Sequence, residues 1–474
     1  MVLKDINHSF GYHTRKIVTM FFPLKKIRSD GNEQIEVITK QDNYELTVSA
    51  RVFEETACAS YTAKAGEDMA RAMSLLLFRL LCDLTGFVPQ WGILYGVRPA
   101  RLMHAKTEEL GEEGAKRFFL ESLVTPEKTE LAFDVMKSEN KIIALSQRNS
   151  YSLYVSIPFC PSRCSYCSFV SHSIENASEL IQPYCDLLVK ELKETAKAAS
   201  ALGLRLETVY FGGGTPTTLS AFQLDSILSA VESYFDLSHL REFTVEAGRP
   251  DTVTEEKLSV LLKHNVSRIS INPQTFSDEV LKLIGRRHTV EQTYKAYELA
   301  EKLGFNNINM DLIAGLSGDT LKTFENSVNC AVSLGAKSIT VHNLALKSGA
   351  FLVTENENYE LSKRALAGNM IDYSYLKLKN EGYKPYYMYR QSKSLGNLEN
   401  TGWCKEGFDC LYNVFMMDET HTVLSAGAGA VTKLKNPDTG HIERIYNYKY
   451  PYEYLNDFEG IIARKQGIYS FFTE

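Results

Sequence analysis

Between Ser152 and His342 the chain alternates six times between a short apolar run and an amphipathic helical stretch, a rhythm that restricts the fold to few classes. The apolar runs are Leu153–Ile157, Thr208–Phe211, Phe243–Glu246, Arg268–Asn272, Ile308–Ile313 and Ser338–His342. Helical spacing covers Ala177–Leu202, Ala221–Phe235, Glu255–His264, two short pieces within Asp278–Leu303, and Leu321–Leu334. Consecutive βα units bury both faces of a parallel sheet under helices. Right-handed crossovers curl such a sheet into a partial barrel. The class is therefore α/β, with a partial (β/α)6 barrel expected; an open doubly wound sheet has the same alternation, and periodicity does not separate the two.

The 474 residues leave room for further domains on either side. Residues 1–149 read as an N-terminal α+β accessory domain, with strand-like runs at Lys16–Phe22, Gln34–Thr39 and Glu45–Val52 and helical patterns at Glu67–Leu84 and Thr125–Gln147. Residues 150–349 carry the barrel. Residues 350–474 read as a C-terminal α+β extension covering the substrate side: a helix over Lys363–Asn380, paired strands at Tyr412–Met417 and His421–Ala426, and an aromatic-rich stretch at Tyr446–Gln466. The first residues lack the apolar segment of a signal peptide, and Arg79 interrupts Met73–Leu84, the most apolar helical stretch. A cytoplasmic protein without a membrane anchor is expected. A net charge of −6 argues against nucleic acid as a partner.

Nine cysteines is an odd count, and Cys58, Cys82, Cys185 and Cys330 stand alone, so this is no disulfide framework. Isolated cysteines are usually small buried hydrophobes. Cys160, Cys164 and Cys167 are different: their C-x3-C-x2-C spacing brings three thiolates onto one loop after the first barrel strand. Gly212–Thr215 follows the second strand, Glu246 ends the third, Gln274 follows the fourth, and Asp311 sits late in the fifth. In β/α barrels such strand ends converge on one rim, where the site lies. Structural zinc needs four ligands, for which only Cys185 or His172 is near. Three thiolates on an iron–sulfur cluster leave one iron open to bind a substrate.

The stretch YVSIPFCPSRCSYC, Tyr154 to Cys167, resembles the cluster loop of the radical-SAM superfamily, with an aromatic residue, Tyr166, before the third cysteine. That resemblance implies a [4Fe–4S] cluster on Cys160, Cys164 and Cys167, whose open iron chelates S-adenosylmethionine (SAM) and cleaves it reductively to a 5′-deoxyadenosyl radical. It also implies SAM contacts from Tyr154, Tyr166, Gly213, Gly214, Thr215, Glu246, Gln274, Arg286 and Asp311. Glycine lets backbone approach a ligand closely.

YVSIPFC, FGGGTPT, QTFSDEVLKLIGRRHT and MDLIAGLSGDT resemble segments of the oxygen-independent coproporphyrinogen III oxidase group. WGILYGVRPARLMHA, YYMYRQ and GNLENTGW are similar to its HemZ-type members. The implied reaction is oxidative decarboxylation of two propionates of coproporphyrinogen III to vinyls. An electron donor such as flavodoxin or ferredoxin and an anaerobic setting are implied with it. Related branches carry haem as chaperones or open its ring, so the implied partner is a tetrapyrrole, coproporphyrinogen III or haem. The better-defined oxidases have a fourth cysteine two residues after the third, where this chain has Phe169, as the chaperone branch also lacks it. Arginine forks suit propionates, and Arg98, Arg101 and Arg390 are the candidates, near Tyr386, Tyr387 and Tyr389. Cys404 and Cys410 lack the further ligands an auxiliary cluster needs.

Overall fold

The computed structural model describes residues 1–167, 172–346 and 359–473. At the N-terminus, β1 (Val2–Ile6), β2 (Ile35–Asp42), β3 (Glu45–Val52) and β4 (Glu55–Thr62) form a four-stranded sheet in sequence order, β1 parallel to β2 and the rest antiparallel. Helices α1 (Gly11–Phe21) and α2 (Met69–Thr85) cover one face, burying Leu46, Val48 and Ala50 in a core separate from that of the barrel. The Asp68 side chain caps α2 at Arg71 N, and Gly86 ends the helix in the left-handed region. Lys16–Phe22, expected as a strand, lies almost wholly in α1. Its β-branched residues suggest a strand, but burial of Thr14, Ile17, Val18 and Phe21 follows helical spacing, and packing overrides propensity.

After α3 (Pro99–Glu121) and α4 (Pro126–Ile143) comes the barrel. Its strands are β5 (Ser150–Ile157), β8 (Arg205–Gly213), β9 (Glu242–Glu246), β10 (Arg268–Ser270), β11 (Ile308–Ala314) and β12 (Ser338–Asn343), all parallel and in sequence order; the two-residue strands β6 (Phe159–Cys160) and β7 (His172–Ser173) lie in the first loop. The intervening helices are α5 (Ile174–Ala201), α6 (Ala221–Tyr234), α7 (Glu255–Lys263), α8 (Asp278–Leu283), α9 (Val290–Leu303) and α10 (Leu321–Ser333). Capping boxes Ser220–Gln223 and Thr289–Gln292 start α6 and α9.

The C-terminal chain extends this same sheet at both edges, where a smaller region with its own paired strands was expected. β13 (Lys384–Arg390) and β14 (Glu399–Cys404) add antiparallel beyond β12. β15 (Thr422–Ala426) adds parallel to β5, and β16 (Val431–Lys435) and β17 (Ile442–Tyr446) follow antiparallel, giving eleven strands. Leu411–Asp418 is a helix, so the strand expected at Tyr412–Met417 is corrected. The buried Glu242 carboxylate accepts from Leu411 N at 2.7 Å and Tyr412 N at 3.3 Å, satisfying first-turn amides from a distant strand. This helix packs against β8, β13 and α4. The expected boundary at 349/350 and Phe169 lie outside the described residues.

A buried ion pair ties the N-terminal half to β14. Lys128 Nζ donates to Glu399 Oε1 at 2.7 Å, and Trp91 Nε1 donates to Glu399 Oε2 at 2.7 Å. Losing one partner of such a pair strands a buried charge, at a cost of about 3–5 kcal/mol. Among the described residues no cation pairs with Glu139 on α4. Burial, then the Asp418 charge, pushes its carboxyl up to about 8, against a backbone hydrogen bond at Met388. The folded state then holds a proton that the unfolded state has released above the ordinary carboxylate range, so Glu139 makes stability fall as pH rises from about 4.5 to about 8. Thermal melts at pH 5.5 and 8 should show a smaller pH-dependent loss in Glu139→Gln than in wild type; equal losses would mean that the carboxyl is ionised in the fold.

Candidate functional site

Polar residues recur at every second position along most barrel strands: Thr244 and Glu246; Arg268 and Ser270, with Asn272 two residues past the strand; Asn309 and Asp311; Ser338, Thr340 and His342; Tyr210 lies on β8. Period-two alternation places each set on one face of its strand. Register pairs Arg268 with Thr244, Ser270 with Glu246 and with Asn309, and Asp311 with Thr340. The barrel interior is consequently polar, and a cavity of about 390 Å³ opens there. Tyr154, Cys160, Cys164, Tyr166, Cys167, Gly213, Gly214, Thr215, Glu246, Gln274, Arg286 and Asp311 all line it. Twelve residues chosen from sequence thus meet at one place.

The cysteine loop is braced from behind. Ser165 N donates to Ile284 O at 3.0 Å, Ser162 Oγ donates to Gly285 O at 3.0 Å, and Cys167 N donates to Cys164 O at 3.1 Å. Arg249, buried, reaches Ser162 Oγ at 3.2 Å and pairs with Asp251 at 3.3 Å. The glycine turn after β8 presses against the same loop: Gly214 N donates to Ile157 O and Thr215 N to Phe159 O, both at 2.7 Å. A Cβ on Gly214 would sit 2.5 Å from Phe159 O, and Gly213 has φ +108°. Glycine is required here by the loop's own backbone, a reason beyond close approach to a ligand.

Gln274 has φ +69°, a left-handed conformation that costs a non-glycine residue of order 1–3 kcal/mol. Hydrogen bonds from Gln274 N to Asp311 O and from Ile313 N to Gln274 O hold it there. Among the described residues its buried Oε1 has no partner, and neither do Arg286 Nε, Thr244 Oγ1 and Asn343 Oδ1, all on residues lining the cavity. Buried polar atoms are normally paired, so these four are open to a ligand's polar groups, while other such atoms, on Gln90, His264 and Asp319 among them, lie away from the cavity.

Two carboxylates differ in state. Burial pushes Glu246 up to about 7, although Tyr210 Oη donates to it at 2.6 Å. Burial also works against ionisation of Asp311, but His342, Asn309 and Thr340 outweigh it and hold the carboxyl below its ordinary value. Asn309 Nδ2 donates at 2.8 Å and His342 Nε2 lies 3.6 Å away. Tyr210 and His342 were not singled out from sequence, and the alternate-position polarity of the strands is the signal that would have found them.

The arginines expected to meet propionates are elsewhere. Arg98 and Arg101 pair with Glu419 at 2.6 and 3.5 Å. Arg390 is buried, donates to Leu94 O at 2.5 Å and to Asn397 O, and lies over Trp91. None lines the cavity. Of the neighbouring tyrosines, Tyr387 and Tyr389 do. Burial pushes the Cys404 and Cys410 thiols up, which suits neutral thiols. Among the described residues no three His, Cys, Asp or Glu side chains form a group that could hold a single metal ion; the side chain of His172 lies outside them. Three thiols around one cavity fit a cluster in which each binds a different iron.

The fold and this donor set define a radical-SAM protein, and the Radical SAM superfamily model matches residues 154–331. The chain is 35% identical over 463 residues, 94% of its length and 92% of the relative's, to the oxygen-independent coproporphyrinogen-III oxidase-like protein HemZ of Bacillus subtilis strain 168. It therefore belongs to that HemZ family of radical-SAM proteins. It is also 31% identical to the heme chaperone HemW of the same organism, over 64% of this chain and 77% of that one. Coproporphyrinogen III oxidase (HemN) of Escherichia coli shares the fold, with a TM-score of 0.52 at 20% identity, covering 69% of this chain and 72% of that one. The superfamily's cofactors are a [4Fe–4S] cluster and SAM. Among the described residues no helix is long and apolar enough to cross a membrane.

Cys164→Ala should lose iron and sulfide after anaerobic reconstitution while keeping its melting temperature, because Cys164 lies outside the hydrophobic cores. Iron retention at the wild-type level would remove Cys164 from the ligand set. Asp311→Ala should keep iron but bind SAM about tenfold or more weakly by calorimetry, the scale of a lost charge-assisted hydrogen bond. Unchanged affinity would place Asp311 outside the SAM contacts.

Proposed function

We propose that this protein catalyses oxidative decarboxylation of the propionates of coproporphyrinogen III to vinyl groups, with the cluster on Cys160, Cys164 and Cys167. One observation carries the reading: a single cavity runs from the three cysteines past Gln274, Arg286 and Asp311 into the barrel interior, and it is walled by Tyr387 and Tyr389 of β13. A cofactor end and a substrate end then share one continuous space.

When bound, the cluster and SAM supply a carbon-centred radical that removes one hydrogen atom. The propionate loses that hydrogen from its β-carbon, then CO2 and one electron, leaving the double bond. The electron goes to a one-electron acceptor, and a carrier such as flavodoxin or ferredoxin would supply the electron the cofactor chemistry needs. Asn309 and His342 keep Asp311 ionised and oriented, and Tyr210 holds the Glu246 carboxyl in place. Tyr387 and Tyr389 shield the reacting carbon from water, which preserves a radical.

A second reading, haem carriage without decarboxylation, is favoured by the HemW relatives and by Phe169 in place of a fourth cysteine. Reconstituted protein with SAM and dithionite under anaerobic conditions separates the two. Deoxyadenosine release that depends on coproporphyrinogen III, with loss of two CO2 by mass spectrometry, is the expected result. Return of coproporphyrinogen III intact, with substrate-independent release, would overturn decarboxylation and leave haem binding as the better reading.

A further inference from the structure

The inner end of the cavity, away from the cysteine loop, holds a buried cation that the cofactors do not explain. Arg268 opens β10, is 2% exposed and lines the cavity. Its guanidinium donates to Asn307 Oδ1 at 2.9 Å, Phe408 O at 3.2 Å and Ser338 Oγ at 3.0 Å, all neutral acceptors. Among the described residues no carboxylate lies within ion-pair distance of it. Other buried cations do better: Lys128 has Glu399 at 2.7 Å and Lys465 has Glu191 at 2.9 Å. The buried carboxylate nearest in effect, Glu242, is engaged by Cys410 Sγ, Leu411 N and Tyr412 N. Glu242 favours the charged form of Arg268 from beyond ion-pair distance, but no carboxylate touches the guanidinium, and a ligand that brings the opposite charge into contact stabilises it further.

A second observation is independent of the first. Thr244, paired in register with Arg268 on the neighbouring strand, is 1% exposed, lines the same cavity and has no hydrogen-bond partner for Oγ1. A hydroxyl donates one hydrogen bond, so an acceptor ligand beside Arg268 satisfies it. Asn413, from the helix that fills the barrel's open side, borders the same space.

We propose that Arg268 and Thr244 form an anion subsite for a carboxylate of the substrate, a propionate of the tetrapyrrole. This rests on the function proposed above and names the part of the cavity that receives one acid arm. The subsite lies inside the barrel and replaces the surface arginines 98 and 101 as the cationic partner. A carboxylate there accepts from the guanidinium and from Thr244 Oγ1 and leaves the cofactor end of the cavity clear. Specificity follows: a tetrapyrrole whose acid arms are esterified leaves Arg268 unpaired and is rejected.

The test is equilibrium binding of coproporphyrin III, the oxidised and fluorescent form of the ring, to the reconstituted full chain, alongside its tetramethyl ester. Wild type should bind the acid at least about tenfold more tightly than the ester, the scale of a charge-assisted hydrogen bond. Arg268→Gln should lose most of that preference. Because Arg268 also braces Ser338 and Phe408, Thr244→Val serves as the second variant; it removes a hydroxyl that has no hydrogen-bond partner among the described residues and should weaken acid binding several-fold at an unchanged melting temperature. Tight acid binding in wild type that survives in both variants would overturn the subsite and leave the proposed function standing. Failure of wild type to bind the acid would overturn both.

Discussion

A parallel sheet of six strands has two unpaired edges, and most of what surrounds this barrel follows from closing them. Open edges expose backbone donors and acceptors and invite pairing with other chains. Here the chain returns after the last βα unit to satisfy both: β14 and β13 beyond β12, and β15 to β17 beyond β5. Because β15 runs parallel to β5, it continues the barrel geometry past the first strand. The C-terminal residues are thus part of the barrel wall, and they bring Tyr387, Tyr389 and Asn400 to the cavity along with the pairing.

The same closure decides the character of the interior. Barrels of this kind ordinarily fill their centre with branched apolar side chains. In this one, the apolar residues of the strands face the helices, and the inner face carries a hydrogen-bonded chain instead. Arg268 donates to Ser338 Oγ, Ser338 Oγ to Asn309 Oδ1, and Asn309 Nδ2 to Asp311 Oδ1 and Ser270 Oγ. Satisfied polar networks hold their members in fixed geometry, whereas a half-satisfied one costs more than an apolar core. Among the described residues, four atoms left without partners, on Thr244, Gln274, Arg286 and Asn343, belong to residues that line the cavity; others, such as those of Gln90, His264 and Asp319, lie away from it.

Sequence carried the barrel and its rim because both depend on local rules: period-two strands, capped helices, and polar residues at strand ends. All twelve residues read as cluster or SAM contacts line one cavity. What escaped reading depends on partners far along the chain. Leu411–Asp418 is helical because Glu242, some 170 residues earlier, satisfies its first amides. Arg390 resembles a propionate clamp in sequence, but its guanidinium is used up by the carbonyls of Leu94, Gly96 and Asn397. An arginine's role is set by which acceptors surround it, and no spacing rule reports that. The same blindness hid Arg268, whose strand reads as an apolar run.

One short turn coordinates the two ends of the cofactor site. The Ile284–Gly285 carbonyls accept from Ser165 N and Ser162 Oγ of the cysteine loop, and the next residue is Arg286, which donates to Asn272 O beside Gln274. Gly285 has φ +77° and a Cβ there would lie 3.2 Å from Arg163 O, so the turn and the loop are in direct backbone contact. Displacing the turn therefore moves the cysteines and the cavity-lining Arg286 together. Arg249, three residues past the end of β9, clamps the loop through Ser162, and Gly214 and Thr215 hold it from the end of β8, so residues anchored by two neighbouring barrel strands fix its position. A radical-generating centre needs its reacting groups held within a fraction of an ångström, and distributing that task over rigid strands achieves it where a loop alone would not.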